Sequence, residues 1–384
     1  QEASKSQYPL AMSAYGRILK VEDQALACRL FKEAADKNLP IAQYQYARIL
    51  EIGGAEEEAL RYYKMASDNG IAKAQFRYGR MHEICSKIKR SYEIAVQYYK
   101  LAARRKYPKA MNNYGHMLEL GLGIEKNTKL ASFYYKKASE LGNTFATHNY
   151  ARVLEHGIGV EKNELAAAQI YKKLAEDENN GLAQYNYGRM CHNGIGVRED
   201  LEAAQKYYLM AIDNNIAEAK QNYGVLLFTK FHKWNEAARF FEMAVSGNGG
   251  QPSAKYNYAQ LLIQGMGTPE NPKLAEQLLK EAATSFLPAM VSYAQLLAEK
   301  ENDSDLKEAA IYFKKAADMD DSERKFLKPQ RDAQYRLALM YRDGNGVEKS
   351  EELFNKYIVM AANNKHPDAE DIVYPPQCEL KLTL

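Results

Sequence analysis

Apolar residues recur along the chain with the spacing of an amphipathic helix. In the middle of the chain, Ala183, Tyr187 and Cys191 are four residues apart and lie on one helical face. A second apolar stripe follows the Gly-rich break Asn193–Gly196. Glycine ends helices because it adopts the left-handed conformation that other residues resist, and Asp200 is suited to cap the next helix. The pattern predicts two short helices joined by a Gly loop.

This helix pair returns about ten times, each copy built around an anchor tyrosine, or a leucine in the last copy. The anchors are separated by 31 to 37 residues, with a final step of 44. Periods of this length are typical of stacked helix pairs in which each repeat contacts its neighbours. The residue after the anchor is always Gly or Ala, which predicts that a neighbouring helix passes against the backbone there. The anchors are Tyr15, Tyr46, Tyr78, Tyr114, Tyr150, Tyr187, Tyr223, Tyr258, Tyr293 and Leu337.

The A-x-Y-x-Y-G-x-M helix, the G-x-G-V loop and the A-x-x-Y-Y-x-x-A-A helix resemble the Sel-one-like repeat, a relative of the tetratricopeptide repeat. The resemblance extends over about Leu10–His366. It implies an all-α fold, a right-handed superhelical α-solenoid of stacked antiparallel helix pairs that scaffolds other proteins. Roles in the family include signalling adaptors, host-contact proteins of bacteria and the lumenal adaptor of the endoplasmic-reticulum degradation ligase.

We therefore expect residues 1–366 to form one solenoid of about ten helix pairs, and residues 367–384 to form a C-terminal cap or tail. Pro367 could instead open an eleventh repeat. The second, third, seventh and ninth copies depart from the regular loop pattern. These departures are expected to change the local curvature of the stack and to leave its fold intact.

The charge of the chain is nearly balanced, with 52 basic and 49 acidic residues and a net charge of +3. Proteins that bind nucleic acids carry a basic stripe for the phosphates, so we do not expect nucleic acid as the main ligand. One local cluster is basic and is expected to be a solvated face, a patch for an acidic partner or a targeting signal. This cluster comprises Lys87, Lys89, Arg90, Arg104, Arg105, Lys106 and Lys109.

The cysteine and hydropathy patterns favour a cytoplasmic protein. The cysteines Cys28, Cys85, Cys191 and Cys378 show no paired spacing, which argues against framework disulfides or a zinc site and suits a reducing compartment. No apolar run approaches the ~20 residues of a membrane span, so direct membrane insertion is not expected. The alternative compartment is the lumen of the endoplasmic reticulum, which a glycan on the sequon residue Asn302 would favour.

The sequence indicates no catalytic or cofactor site. Each G-x-G loop follows one helix and precedes another, so the loops do not match a phosphate-binding loop that begins at a strand. The histidines are dispersed and form no ligand cluster with the cysteines, and no nucleophile–base pair can be named. We expect a protein that is not an enzyme and has no metal or cofactor. A further alternative is the regulatory repeat region of a longer signalling enzyme such as a kinase.

One helical face is expected to form a concave surface that binds other proteins. Alignment with the tetratricopeptide pattern places on this face the residue after the small Gly or Ala and the residue four positions earlier. Arginine binds carboxylate and phosphate bidentately, and arginine and aromatic residues are common interface hot spots. The candidate partner-binding residues are Arg17, Tyr44, Arg48, Phe76, Arg80, His116, His148, Arg152, Tyr185 and Arg189.

This face is expected to hold an acidic or phosphorylated segment of a partner protein. The equivalent positions in the C-terminal third are neutral, among them Val225 and Gln260. A competing structural interpretation pairs some of these residues with the glutamate three residues later in the same helix, for example Arg48 with Glu51 and Arg152 with Glu155. The arginines would then belong to the scaffold. The sequence is also compatible with a homodimer formed through an exposed end repeat.

Overall fold

The computed structural model describes residues 24–246, 250–320 and 326–374, and within these ranges all regular secondary structure is helical. The chain divides into two compact units, Gln1–Glu199 and Asp200–Leu384. The N-terminal unit contains α1 (Gln24–Asp36), α2 (Pro40–Ile52), α3 (Glu56–Asp68), α4 (Ala72–Ile84), α5 (Tyr92–Arg104), α6 (Pro108–Leu120), α7 (Thr128–Glu140), α8 (Thr144–His156), α9 (Glu164–Asp177) and α10 (Gly181–Asn193). The C-terminal unit contains α11 (Leu201–Asp213), α12 (Ala217–Thr229), α13 (Trp234–Val245), α14 (Pro252–Gln264), α15 (Pro272–Ala282), α16 (Leu287–Ala298), α17 (Asp303–Ala317), α18 (Leu327–Asp343), α19 (Glu351–Asn363) and α20 (Pro367–Val373).

Within each unit, every helix packs against the helices that precede and follow it in the chain. The even-numbered helices are the first helices of successive repeats, and the odd-numbered helices are the second ones. Some first helices also touch directly, such as α6 with α8 and α14 with α16. This arrangement confirms the expected fold class, an all-α solenoid of stacked antiparallel helix pairs.

The core combines small alanines with large aromatic rings. Tyr63, Tyr99 and Tyr135 of the second helices are fully buried, and alanines around them are equally buried. A Cβ on Gly115 would lie 3.0 Å from the Tyr135 ring and 3.2 Å from the carbonyl oxygen of Ala131. The second helix therefore packs against the backbone of the first helix, as the Gly/Ala pattern predicted.

Where a G-x-G loop occurs, it packs its repeat against the preceding one. Gly121 ends α6 with a φ of 76°, and Gly123 has a φ of 66°. A Cβ on Gly123 would overlap the backbone of Tyr92, the first residue of α5. Gly159 lies against the backbone of Thr128 in the same way. Helix packing therefore explains these glycines without any phosphate ligand.

Both ends of the chain extend beyond the described residues. Pro367 opens the short helix α20, which packs against α19. The rest of the predicted cap or tail, residues 375–384, lies outside the described residues, as do the candidate Arg17 and the first anchor, Tyr15. No described helix combines the length and the apolar character needed to cross a membrane.

Candidate partner-binding groove

A buried carboxylate on α6 joins three helices. Glu119 is 8% exposed and accepts a 2.8 Å hydrogen bond from the Tyr135 hydroxyl of α7. Arg152 of α8 donates two more hydrogen bonds to this carboxylate, at 2.8 and 2.7 Å. Burial acts to raise the pKa of Glu119, but the hydrogen bonds from Arg152 and Tyr135 outweigh burial and lower the pKa. Glu119 is therefore a fixed anion that ties its own repeat to the next one.

Related contacts recur within this unit, complete in the second repeat and without the tyrosine hydrogen bond in the fifth. In the second repeat, Glu51 accepts hydrogen bonds from the Tyr63 hydroxyl at 2.6 Å and from Arg77 of the third repeat at 3.2 Å. In the fifth repeat, Glu155 accepts a 2.5 Å hydrogen bond from Arg189 of α10. We name this set of contacts the Glu–Arg ladder. Its glutamate comes from one first helix and its arginine from the next.

The ladder corrects the structural interpretation of the sequence. Pairing of Arg152 with Glu155 in the same helix is wrong, because Arg152 binds Glu119 and Glu155 binds Arg189. The reason is the buried tyrosine of the second helix. It holds the Glu119 carboxylate at the boundary between two repeats, where the arginine of the following first helix can reach it.

Arg48 and Arg80 stand outside the ladder. Within the described residues, neither side chain forms an ion pair with a carboxylate. Arg80 lines a second cavity together with Glu51 and Glu56, but Glu51 is bound by Arg77, one helical turn earlier in α4, and Glu56 is bound by Lys87. For Arg48, the corresponding position of the first repeat is Lys20, so the sequence offers no glutamate there. In the described part of the chain, these two guanidinium groups therefore form no ion pair.

Both arginines line a groove that crosses the four first helices α2, α4, α6 and α8. The groove has a volume of about 520 Å³, and its lining includes five cationic side chains and no carboxylate. Of the five cations, only Arg77 is ion-paired among the described residues. We name this site the basic groove, and its lining residues are Tyr44, Arg48, Lys73, Phe76, Arg77, Arg80, Tyr107, Lys109, Asn112, Asn113, Asn143 and Phe145.

Aromatic rings give the basic groove an apolar component. Phe76 is buried and packs edge-on against Tyr107, with ring centroids 5.4 Å apart. Tyr44 lies 6.0 Å from the buried ring of Tyr63. Phe145 of α8, in contrast, is 71% exposed. Fixed rings beside unpaired arginines are the chemistry of an interface hot spot, so the groove suits a segment with both carboxylates and apolar side chains.

The groove brings together four of the predicted partner-binding residues, Tyr44, Arg48, Phe76 and Arg80. They come from two neighbouring first helices, α2 and α4. The lining also contains residues that the sequence pattern left out. A pattern of one position per turn includes Phe76 but omits Arg77, which follows it directly. It also omits residues at helix starts, such as Tyr107 and Asn143, and the exposed Phe145.

The other predicted residues lie elsewhere. Arg152 and Arg189 belong to the ladder. His148 Nε2 lies 3.0 Å from the side-chain nitrogen of Asn186, and burial, assisted by Arg152, lowers the pKa of His148. Within the described residues, no three His, Cys, Asp or Glu side chains are grouped so that they could hold a metal ion. Three predicted residues in the described part of the chain belong to neither the groove nor the ladder, namely His116 on α6, His148 on α8 and Tyr185 on α10.

The repeat pattern matches a known family over most of the chain. The family model for the Sel1 repeat matches residues 4–39, 40–71, 72–107, 108–143, 144–179, 181–216, 252–285, 300–321 and 331–365. The chain belongs to the Sel1 repeat family. The matches to the Sel1 repeat leave out residues 217–251, which include the irregular seventh copy.

Two solved structures are similar to this Sel1 repeat protein. One is a protective antigen present in uropathogenic Escherichia coli strains that displays an SLR fold. The two sequences are 22% identical, the TM-score is 0.70, and the match covers 97% of this chain and 80% of that chain. The other is a Sel1 repeat protein from Oxalobacter formigenes, with 22% identity, a TM-score of 0.50 and coverage of 76% and 96%. At this level of identity the likeness concerns the fold alone. No curated protein sequence matches the chain.

Proposed function

We propose that this Sel1 repeat protein is an adaptor whose basic groove binds an acidic segment of a partner protein. Sel1 and related repeat folds generally mediate protein–protein interactions. The observation that carries the proposal is the pair Arg48 and Arg80, which have no ion-pair partner among the described residues and line a groove free of acidic side chains. A carboxylate or phosphate from a partner supplies the missing opposite charge.

The side chains of the groove have different roles in this binding mode. The guanidinium groups of Arg48 and Arg80 bind carboxylates in a bidentate manner. Lys73 and Lys109 add positive potential, which attracts an acidic segment and speeds its encounter with the groove. The exposed Phe145 ring offers an apolar contact to the same segment. The positive charge thus attracts an acidic segment, while the aromatic rings and the guanidinium groups favour one that has both apolar side chains and carboxylates.

The test uses fluorescein-labelled, capped octapeptides and fluorescence anisotropy. A peptide in which glutamate alternates with alanine is compared with one in which lysine replaces each glutamate. The wild-type protein should bind only the acidic peptide. The variant R48E/R80E should weaken this binding by about tenfold or more, because two charge-assisted contacts become repulsive.

The control variant R29E/R61E produces the same change in net charge at two exposed residues of the second helices α1 and α3. It should bind the acidic peptide within about twofold of wild type, since distant sites behave independently. Equal affinity of wild type and R48E/R80E, or a preference for the lysine peptide, overturns the proposal.

We also propose that this adaptor works in the cytoplasm. Cys28 and Cys85 are free thiols, which suits a reducing compartment. The sequon residue Asn302 caps α17: its Oδ1 accepts a 2.9 Å hydrogen bond from the Asp305 backbone, and its Nδ2 donates to the Asp305 carboxylate at 2.6 Å. A glycan on Nδ2 would compete with the contact between Nδ2 and the Asp305 carboxylate. The mass of the native protein should not change on treatment with an N-glycosidase, and a glycan on Asn302 would contradict this placement.

A further inference from the structure

In the seventh repeat, all three positions of the Glu–Arg ladder hold other residues, as the aligned positions of the eighth repeat also do. The glutamate position of α12 holds Phe228, the arginine position of α14 holds Gln260, and the tyrosine position of α13 holds Phe241. The packing around them is preserved, because a Cβ on Gly224 would lie 2.9 Å from the Phe241 ring. These residues therefore cannot form the polar bridge that joins repeats in the N-terminal unit, although the helices pack in the same way.

An apolar cleft of about 290 Å³ lies where the polar bridge would be. Phe241 and Leu261 are buried at 2% and 3% exposure, while Val225 and Phe228 remain half-buried. None of the lining residues is charged, in contrast to the basic groove. We name this site the apolar cleft, and its lining residues are Val225, Phe228, Thr229, Phe241, Asn257, Gln260, Leu261 and Gln264.

The lining of the apolar cleft also includes amide side chains. Among the described residues, neither Asn257 nor Gln264 has a side-chain hydrogen bond. Gln260 donates a long 3.3 Å hydrogen bond to the Ser292 hydroxyl. Primary amides both donate and accept, which matches the alternating N–H and C=O groups of an extended peptide backbone. The cleft thus combines apolar walls with groups that bind a neutral backbone.

The size of the cleft limits what it can hold. An apolar protein cavity of about 150 Å³ accommodates one benzene ring, and sites for drug-sized ligands begin near 300 Å³. A volume of about 290 Å³ therefore fits one large apolar side chain together with the adjoining backbone. An isolated charge would find no partner of opposite sign in this lining, so an uncharged segment is favoured.

We propose that the apolar cleft is a second peptide-binding site, which takes one leucine-, methionine- or phenylalanine-type side chain from an uncharged segment of a partner protein. The amides of Asn257 and Gln264 bind the backbone on either side of that side chain. This site differs from the basic groove in its chemistry, its repeats and its unit of the chain, and it stands independently of the acidic-segment proposal.

The test uses capped tripeptides and methyl NMR of Val225 and Leu261. Acetyl-Gly-Leu-Gly and acetyl-Gly-Phe-Gly amides should shift these methyl signals in a saturable way. The Gly-Gly-Gly and Gly-Glu-Gly peptides should bind at least about tenfold more weakly, since each lacks the apolar side chain. Equal shifts with all four peptides, or no saturable shift with any of them, would overturn the proposal.

The variant F228E/F241Y/Q260R restores the ladder residues and fills the cleft with the polar bridge seen in the N-terminal unit. It should lose binding of the leucine peptide by about tenfold or more. If this triple variant does not fold, V225F narrows the cleft from a half-buried wall and should produce the same loss with an unchanged circular dichroism spectrum. Retained binding in a folded variant of either kind contradicts the proposal. The variant R48E/R80E should bind the leucine peptide as wild type does.

Discussion

Ion pairing separates arginines that occupy equivalent positions in successive repeats. Arg152 is held by two hydrogen bonds to the buried Glu119, whereas Arg48 has no carboxylate partner among the described residues. Removing one partner of a buried pair leaves the other charge buried and uncompensated, which is more costly than the pair is stabilising. Removing an unpaired arginine leaves nothing uncompensated. Substitution of Arg152 should therefore lower stability much more than substitution of Arg48.

The variant R152A should lower the free energy of unfolding of the N-terminal unit by roughly 1–3 kcal/mol, because it leaves the Glu119 carboxylate without its main partner. The matched variant R48A should change this free energy by less than about 0.5 kcal/mol. Urea unfolding followed by circular dichroism measures both. A loss in R48A as large as that in R152A would contradict the assignment of the two arginines to different roles.

Stability should also depend on pH through the same carboxylate. The pKa of Glu119 is lowered from its ordinary value of 4.5, so its contribution is fully present above pH 4.5 and is lost as the pH falls through the folded-state pKa. The variant E119Q resembles the protonated state at every pH. The difference in unfolding free energy between wild type and E119Q should be largest near pH 7 and should shrink below pH 4.5. A difference that stays constant down to about pH 3 would exclude this role.

The residues of the candidate site were only partly predictable from the sequence. Arg48 and Arg152 occupy the same repeat position, so periodicity alone cannot separate them. What separates them is the residue at the ladder position of the preceding repeat, which is Lys20 for one and Glu119 for the other. That contact joins residues 33 positions apart and depends on how neighbouring repeats pack. Phe145 has no counterpart in the pattern and could not be predicted.

At the scale of the helix pair, the loop glycines have a structural role that can be measured. Gly123 and Gly142 both have positive φ, at 66° and 77°. They differ in surroundings, because a Cβ on Gly123 would overlap the backbone of Tyr92, whereas a Cβ on Gly142 would meet nothing within 4 Å. An alanine in place of Gly142 should therefore cause backbone strain alone, whereas an alanine in place of Gly123 should cause strain and a steric clash.

The variant G142A should lose about 1 kcal/mol of unfolding free energy, the usual cost of an alanine in the left-handed conformation. The variant G123A should lose at least about twice as much, because the start of α5 must move away from the loop. Chemical denaturation of both variants provides the comparison. Equal losses would mean that Gly123 is needed only for its backbone conformation and not for the packing of two repeats.

The helix pairs themselves were predictable because local signals agree with the global fold. Apolar spacing, small residues after the anchor and loop glycines all point to the same elements, and the observed helices follow them repeat by repeat. The irregular seventh repeat is the informative exception. Its departures from the loop pattern were expected to change only the local curvature, whereas its ladder positions hold Phe228, Phe241 and Gln260, which line a cleft.

At the scale of the whole molecule, a nearly neutral chain carries two proposed sites of different character. The net charge is +3, yet the basic groove holds five cations and no carboxylate, and the apolar cleft holds no charge at all. Summed composition therefore hides the distribution that matters for binding. Salt should weaken binding only at the basic groove, because only that site is charged. The Debye length falls from about 10 Å at 0.1 M to about 3 Å at 1 M.

Raising sodium chloride from about 0.05 to about 0.5 M should weaken binding of the acidic octapeptide by about tenfold or more. The same change should leave binding of the neutral leucine tripeptide to the apolar cleft unchanged or slightly stronger, since hydrophobic contacts are not screened. Titrations of both peptides in both buffers give the comparison. A parallel loss for the two peptides would show that charge is not what distinguishes the sites.

The central claim is that arginines outside the ladder bind the partner and arginines inside it do not. The most direct measurement is the affinity of the acidic octapeptide for two double variants, R48Q/R80Q and R152Q/R189Q, each first shown to be folded by circular dichroism. The account predicts a loss of about tenfold or more for R48Q/R80Q and an affinity within about twofold of wild type for R152Q/R189Q. Equal losses in the two variants, or a loss confined to R152Q/R189Q, would contradict it.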